Sequence, residues 1–453
     1  MLVPNSMSGR KVGILGLGLS GMAAARALSA AGALTWLHDD HGALRDDPPC
    51  GATLANWQDW PWDELSSLVI SPGIPHEHPA PHPAAARAAA AGIEVISEIE
   101  IAMRAAPAAR LVAITGTNGK STTTALTGHC LRAAGRQVAV GGNIGDAACN
   151  LDDPGADGVI VLELSSYQLE TTPSLRADVA MILNITPDHL VRHGGMEGYV
   201  TAKARILAAA GAGGLVIIGP GAPLDGLAAR HRAAGGQVTM VTADDAPPGI
   251  GSVPALAGAH NAENAAAAAA CLAALGLDAA EIADGMASFA GLPHRLQTVA
   301  RADGISFVND SKATNGVATA KALAAFDNIY WIAGGEAKED GLGPAADETA
   351  QVAHAYLIGS AAPDFAAALD GLVDISLSGN LESATTSAFA DACAARSRNG
   401  RDATILLSPA AASFDQFASF VARGEAFTAL ARHLAGDAAS PGIQPAIQGG
   451  AHV

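Results

Sequence analysis

Paired cysteines, positive charge and long apolar runs are all scarce in this 453-residue chain. Its five cysteines, Cys50, Cys130, Cys149, Cys271 and Cys393, are scattered with no paired spacing, which argues against a disulfide framework and against a zinc site. A reducing cytoplasm is the compartment that fits. Lys and Arg number 26 against 44 Asp and Glu, a formal net charge of −18, so neither nucleic acid nor an anionic membrane surface is expected as a partner. Apolar residues make up 49% of the chain, yet much of that is alanine. No stretch supplies the roughly twenty strongly apolar residues of a membrane-spanning helix, and the alanine-rich Ala265 to Leu277 reads as a packed helix. The start imitates a signal peptide, with Arg10-Lys11 before Val12 to Ala31, but Arg26 and repeated glycines interrupt it, so a strand and helix are expected there.

What the chain does have is a phosphate cradle, Thr115-Gly116-Thr117-Asn118-Gly119-Lys120-Ser121-Thr122, between the apolar run Leu111 to Ile114 and a helical pattern expected from about Thr122 to Ala134. Backbone N–H groups and a helix N-terminus favour an anion there, while Lys120 can reach terminal phosphates and the Ser121 hydroxyl can bind Mg²⁺. The stretch expects a nucleoside triphosphate, although Ile114 stands where the first glycine of G-x-x-x-x-G-K-[ST] would fall. Glu163 lies near the end of the apolar run Gly158 to Leu164, a position suited to a Walker-B-type carboxylate ligand for the same Mg²⁺. A second glycine fingerprint, Gly16-Leu17-Gly18-Leu19-Ser20-Gly21, follows an apolar run and precedes Leu34 to Asp40, which predicts a pyrophosphate-binding turn without identifying the nucleotide.

Length suggests about three domains. The periodicity breaks at Ala105 to Arg110 and again at the Gly/Pro segment Gly291 to Leu296, which gives domains over 1–107, 108–297 and 298–436, with an Ala/Ser/Pro/Gly-rich tail over 437–453 expected to be disordered. In the middle domain apolar runs alternate with helical stretches, the pattern of a parallel sheet covered on both faces. The third domain alternates likewise, through Ile305 to Val308, Ile329 to Ala333, Ala355 to Ile358, Val373 to Leu377 and Thr404 to Leu407. Ligands in such sheets bind at the carboxyl ends of strands, where the polar motifs of the chain also fall.

Thr115 to Thr122 is similar to the ATP loop of the Mur ligases and the related folylpolyglutamate synthetases, and the resemblance runs from about Gly13 to Phe427. It implies an α/β fold of three domains: a Rossmann-like UDP-binding domain, a central P-loop ATPase domain and a C-terminal Rossmann-like domain. It also implies ATP- and Mg²⁺-dependent amide formation between D-glutamate and UDP-N-acetylmuramoyl-L-alanine, the alternatives being a ligase that adds L-glutamate to the same or a similar acceptor and a folylpolyglutamate-synthetase-like ligase. A monomeric chain is expected, and the His189 imidazole would suit Mn²⁺ better than Mg²⁺. On this resemblance Leu19, Ser20, Asp39, Ser71, Gly73, Asn143 and His189 hold the UDP substrate, and His41 stands where the family has an arginine. Gly116 to Thr122, Asn261, Asn264, His294, Arg295 and Asp310 serve ATP, with Asn261 also expected to cap the alanine-rich helix. Lys312, Thr314, Lys338, Ser413 and Phe420 match the amino-acid pocket. The metal set is Ser121, Glu163, His189 and Lys203, the last matching a lysine that carries a CO₂-derived carbamate, and the catalytic residues are Lys120, His189, Lys203 and Lys312. An NAD-dependent oxidoreductase built on Gly16 to Gly21 would leave the Lys120 loop and Glu163 unexplained, whereas a nucleotide sensor without catalysis would be told apart by releasing no phosphate with any amino acid and acceptor.

Overall fold

Continuous aliphatic and β-branched runs form strands buried on both faces, and the computed structural model describes them within residues 1–40, 42, 48–211, 213–256, 258–337 and 341–436. The chain divides into two compact units, Met1–Phe289 and a second that begins at Ala290. The first unit carries two parallel sheets. Strands β1 (Lys11–Leu15), β2 (Leu34–His38), β3 (Ala52–Leu54), β4 (Ser67–Ile70) and β5 (Glu94–Ile96) lie in the order β3-β2-β1-β4-β5. That order reverses between β1 and β4, so the loops after these strands diverge and leave a crevice at their carboxyl ends.

The other sheet of this unit joins β6 (Arg110–Thr115), β7 (Val138–Gly142), β8 (Val159–Glu163), β9 (Val179–Ile182), β10 (Leu215–Ile218) and β11 (Gln237–Met240) in the order β11-β10-β9-β6-β8-β7. All its pairings are parallel, and β6 lies between β8 and β9. One continuous core reaches both sheets, from Ile14 and Leu28 through Ile99 and Ala102 to Leu111, Ala113 and Ile160. The opposite face of the larger sheet is covered by the helix Ala259–Ala274, whose Ala265, Ala266, Ala267 and Ala268 pack with Val112, Ile114 and Leu126. Alanine's small side chain lets that helix approach closely while it still removes apolar surface from water.

The second unit contains β12 (Gln297–Ala302), β13 (Ile305–Asn309), β14 (Ile329–Gly334), β15 (Val352–Ile358), β16 (Ile375–Gly379) and β17 (Ala403–Leu407), ordered β12-β13-β17-β14-β15-β16. Only β12 runs antiparallel among these described strands, turning into β13 through Asp303 and Gly304, both at positive φ. The result is a mixed α/β protein with parallel sheets.

Two local expectations are corrected. The helix after the phosphate loop starts at Lys120, not Thr122, because Gly119 takes the N-cap position and Lys120 already has helical geometry. The helix Ala259–Ala274 starts before Asn261, with Gly258 in the N-cap position, so Asn261 lies inside its first turn and does not cap it. Among the described residues no helix is long and apolar enough to cross a membrane.

Candidate active site

Because β6, β8 and β9 are parallel neighbours, the segments that follow them leave the sheet at one edge. Thr117 N–H donates to the Asn184 carbonyl at 2.9 Å, and the Asn118 and Asn184 residues exchange two more bonds, Asn118 N to Asn184 Oδ1 at 2.8 Å and Asn184 Nδ2 to the Asn118 carbonyl at 3.1 Å. Thr117 Oγ1 accepts from Thr186 N at 3.0 Å and lies 3.1 Å from Tyr199 Oη. The phosphate loop is thus shaped by hydrogen bonds to its neighbours. Gly119 is left-handed, with φ 83°, and a Cβ there would stand 2.1 Å from Asn264 Oδ1. Only glycine permits both that backbone and that approach. Lys120 Nζ folds back on the loop, donating to the carbonyls of Gly116 at 3.0 Å and Thr117 at 2.9 Å, with Ser121 next to it at the helix start.

Glu163 pairs in register with Ile114 on one side and Gly142 on the other, which sets its side chain beside the loop. Asn143 Nδ2 donates to Glu163 Oε1 at 2.8 Å, while the other carboxylate oxygen is buried and has no hydrogen-bond partner. Leaving an acceptor buried and unpaired is costly, and a hard cation would remove that cost. The alternative role as a helix cap is filled by Ser165, which forms a capping box with Gln168. The residues present therefore fit Mg²⁺.

Lys203, on the helix Met196–Ala209, is 1% exposed and donates to the same Gly116 carbonyl at 2.8 Å. Burial and, next, the Lys120 charge bring its pKa down to about 7, against opposing pulls from Asp188 and Glu163. His189 has left-handed backbone, its side chain is about half exposed, and Nε2 lies 3.5 Å from Asp188 Oδ2. Among the described residues no group of three or more His, Cys, Asp or Glu gathers in metal-binding range.

A buried network that was not legible in the sequence anchors the His189 segment. His193 places Nδ1 2.9 Å from Glu170 Oε1 and Nε2 2.9 Å from Ser166 Oγ, and Tyr167 stacks on its ring. Burial, reinforced by Arg192, lowers the His193 pKa to about 4, which keeps the ring neutral at physiological pH. Its only sequence signal is the short spacing from His189.

In the smaller sheet, Ser71 Oγ donates to the Gly16 carbonyl at 3.0 Å and Asp39 Oδ2 accepts from Leu17 N at 2.6 Å. The glycine turn, the loop with Ser71 and Gly73, and Asp39 therefore meet at the switch point between β1 and β4. Leu19 and Ser20 begin the helix Leu19–Ala30 at this edge. On the other sheet, a slot lined by Leu183, Asn184, Gly219, Val241, Glu263, Asn264 and Ala267 adjoins the phosphate loop. Asn264 Nδ2 donates to Asn261 Oδ1 at 3.3 Å. His41 and Lys338 lie outside the described residues, as does the 437–453 tail.

In the second unit, loops leave the adjacent strands β13, β17 and β14 together. Lys312 Nζ lies 4.2 Å from the centre of the Phe420 ring, and Thr314 N donates to the Lys312 carbonyl at 2.8 Å. Ser413 is buried, and its hydroxyl has no partner. Asp310 is buried too, accepting from Leu296 N at 3.2 Å and Ser408 Oγ at 2.9 Å, and burial raises its pKa to about 7. His294 Nδ1 accepts from Asn309 Nδ2 at 3.0 Å, and burial lowers the pKa of its ring. Arg295 follows it directly.

Comparison with known proteins places both units in one family. Residues 114–247 match the Mur ligase middle domain and residues 294–411 the Mur ligase glutamate ligase domain. A UDP-N-acetylmuramoylalanine–D-glutamate ligase of Caulobacter sp. strain K31 is 43% identical over 476 residues, covering 97% of this chain and 99% of that protein. One from Paramagnetospirillum magneticum is 43% identical over 444 residues, covering 94% and 96%. The crystal structure of the UDP-N-acetylmuramate-alanine ligase MurC from Thermotoga maritima shares the fold, with a TM-score of 0.55 at 16% identity, covering 92% of this chain and 98% of that one. From the phosphate loop to the loops of the second unit, the chain belongs to the Mur ligase family.

Proposed function

We propose that the protein is an ATP-dependent ligase that adds D-glutamate to UDP-N-acetylmuramoyl-L-alanine in peptidoglycan precursor synthesis. The observation that carries the chemistry is the meeting of the Lys120 loop, the unpartnered Glu163 oxygen and the buried Lys203 at one sheet edge. Near-full-length similarity to ligases named for D-glutamate supports the substrate. A carboxylate is a poor electrophile at neutral pH, so the γ-phosphoryl group of ATP passes to the alanyl carboxylate, giving an acyl phosphate and ADP. The amine of glutamate then attacks the carbonyl carbon and loses a proton. The tetrahedral adduct collapses to the amide and expels inorganic phosphate.

Lys120 and the loop amides hold the negative charge of the transferring phosphoryl group. Glu163 with the Ser121 hydroxyl would hold Mg²⁺, or Mn²⁺ where His189 joins, and the ion supplies charge neutralisation at the phosphates. Lys203 is well placed to react with CO₂ as a neutral amine, releasing a proton and presenting carboxylate oxygens in place of a cation. His189 and Lys312 orient substrate and steady the oxyanion. The Gly16 and Ser71 loops hold the UDP part, the slot beside Asn264 takes the adenine side, and Lys312, Thr314, Lys338, Ser413 and Phe420 take the glutamate.

In this reading the chain acts as a cytoplasmic monomer of three domains, 1–107 and 298–436 Rossmann-like and 108–297 a P-loop ATPase domain. Phosphate release measured across UDP-muramoyl acceptors and D- and L-amino acids tests the assignment. Turnover with UDP-N-acetylmuramoyl-L-alanine and D-glutamate is expected. Turnover only with a pteroate acceptor, or with L-glutamate alone, overturns it.

A further inference from the structure

Arg423 is a charged side chain sealed inside the second unit, 1% exposed, in the first turn of the helix Phe420–Leu434. Its guanidinium donates in five directions. Nε reaches Ser311 Oγ at 3.0 Å, Nη1 reaches the carbonyls of Gly334 at 3.4 Å and Ala412 at 3.1 Å, and Nη2 reaches those of Ser311 at 3.0 Å and Ala411 at 3.1 Å. These acceptors belong to the segments that follow β13 and β17 and to the last residue of β14. Among the described residues no carboxylate forms an ion pair with Arg423. Burial lowers its pKa only to about 10, with the Asp415 carboxylate pulling the other way, so it stays charged at neutral pH.

A structural clamp alone does not call for a charge, because burying one without a counter-ion is expensive. The fork geometry explains the number of bonds, and since Asp415, the carboxylate that acts on it, forms no ion pair with it, the charge also reaches the surrounding loops. The neighbours of the clamped atoms are informative. Ser311 precedes Lys312, and Ala411 and Ala412 precede Ser413. Ser311 Oγ passes its own hydrogen on to the Phe420 carbonyl at 2.8 Å, and the Phe420 ring faces Lys312 Nζ. Gly335, at φ 133°, lets the backbone come so close that a Cβ there would lie 2.1 Å from the Ala412 carbonyl and 3.0 Å from Arg423 Nη1.

We propose that Arg423 is the positioning residue of the amino-acid pocket: it fastens the Lys312, Gly334–Gly335 and Ser413 segments in one arrangement and adds a positive potential that favours a carboxylate of the incoming amino acid. The inference rests on the reading that Lys312 and Ser413 hold that amino acid. Every donor of Arg423 is spent on the protein, so it acts through the loops and through its field, while the Ser413 hydroxyl remains unspent for the ligand.

The test uses the full chain and steady-state kinetics for D-glutamate, ATP and the UDP substrate separately, with near-UV circular dichroism to verify folding. Arg423→Lys, which keeps the charge but loses the fork, is expected to raise the KM for D-glutamate about ten-fold or more and leave the other two within about two-fold. Arg423→Gln, which also loses the charge, should raise it further. Ser311→Ala removes one acceptor of the clamp and should give a smaller rise of the same selectivity. A folded Arg423→Lys with unchanged glutamate KM overturns the inference, as does a parallel rise of all three constants. If the Arg423 variants do not fold, Ser311→Ala decides, and an unchanged glutamate KM there overturns it. Lys312→Ala, measured alongside, separates the two layers. A normal glutamate KM in Lys312→Ala overturns the pocket reading and the inference with it, whereas a raised value there beside normal Arg423 variants overturns the inference alone.

Discussion

Lys203 and Lys120 share one acceptor, the carbonyl oxygen of Gly116, at 2.8 and 3.0 Å. Two ammonium groups on one oxygen repel each other, and the more deeply buried of the two gives up its proton more easily.

That sharing has a measurable pH signature. The folded-state pKa of Lys203, about 7, lies below its ordinary value of 10.5. Between these values the unfolded chain binds one proton more, so this residue makes stability rise with pH across that window, and its burial penalty is complete below pH 7. Urea denaturation in CO₂-free buffer should show Lys203→Met more stable relative to the wild type at pH 6.5 than at pH 9, by on the order of 2 kcal/mol. A stability difference that does not change with pH would refute the shift.

Activity at the same edge separates anchoring from charge. Lys120→Ala should fold normally and lose several kcal/mol of barrier lowering, roughly the loss of one preorganised donor at developing charge or more. Lys203→Ala should lose most turnover and regain part of it with added acetate or formate, while Lys203→Arg stays inactive. Full activity in Lys203→Arg would exclude the carbamate.

Glu163→Gln replaces the unpartnered carboxylate oxygen beside the loop. The Mg²⁺ concentration for half-maximal activity should rise about ten-fold or more, because an amide is a weaker ligand for a hard cation. Thermal stability without Mg²⁺ should not fall, since the affected atom makes no hydrogen bond. A magnesium titration beside a melting curve checks both, and an unchanged Mg²⁺ requirement would move the metal elsewhere.

Ser413→Ala offers a similar separation in the second unit. Its hydroxyl is buried without a partner, so its removal should leave stability unchanged or raise it by up to about 1 kcal/mol. The KM for glutamate should nevertheless increase while that for ATP does not. Destabilisation with normal glutamate kinetics would make the serine purely structural.

Glu98 titrates in the opposite sense to Lys203. It is 2% exposed, one oxygen accepts from Cys149 N, the other is unpartnered, and burial raises its pKa from 4.5 to about 7. Between those values the folded chain holds the extra proton, so stability contributed by the neutral acid is lost as pH climbs through 7. Glu98→Gln should therefore gain on the wild type between pH 4.5 and pH 8, by on the order of 2 kcal/mol in urea denaturation. An unchanged difference between the two pH values would show that Glu98 ionises at its ordinary pKa.

Much of this architecture is legible in the sequence where chemistry and periodicity coincide. The run Gly158 to Leu164 reads as a buried strand because every residue of Val159–Glu163 is apolar except the last, and that exception is the carboxylate proposed to hold Mg²⁺. The strand Gln297–Ala302 is not legible in the same way, as an edge strand needs no continuous apolar run. Its clue is the Asp303-Gly304 pair, which suits a tight hairpin turn. The helix start at Ala259 misled for a different reason: asparagine is a good cap, but Gly258 breaks the chain earlier and Asn261 bonds to Asn264 instead. The bonds of Arg423 and His193 join residues distant in sequence, and no local pattern encodes them.

The contact between Gly119 and Asn264 orders events during synthesis. β6 precedes both strands that flank it, and the helix bearing Asn264 follows all six strands of that sheet. A ribosome that has just released Thr122 has therefore delivered the whole phosphate-binding motif without the partners that give it shape. The loop becomes competent only after about another 140 residues have emerged, so a nascent chain stalled before the alanine-rich helix carries the motif without its finished form.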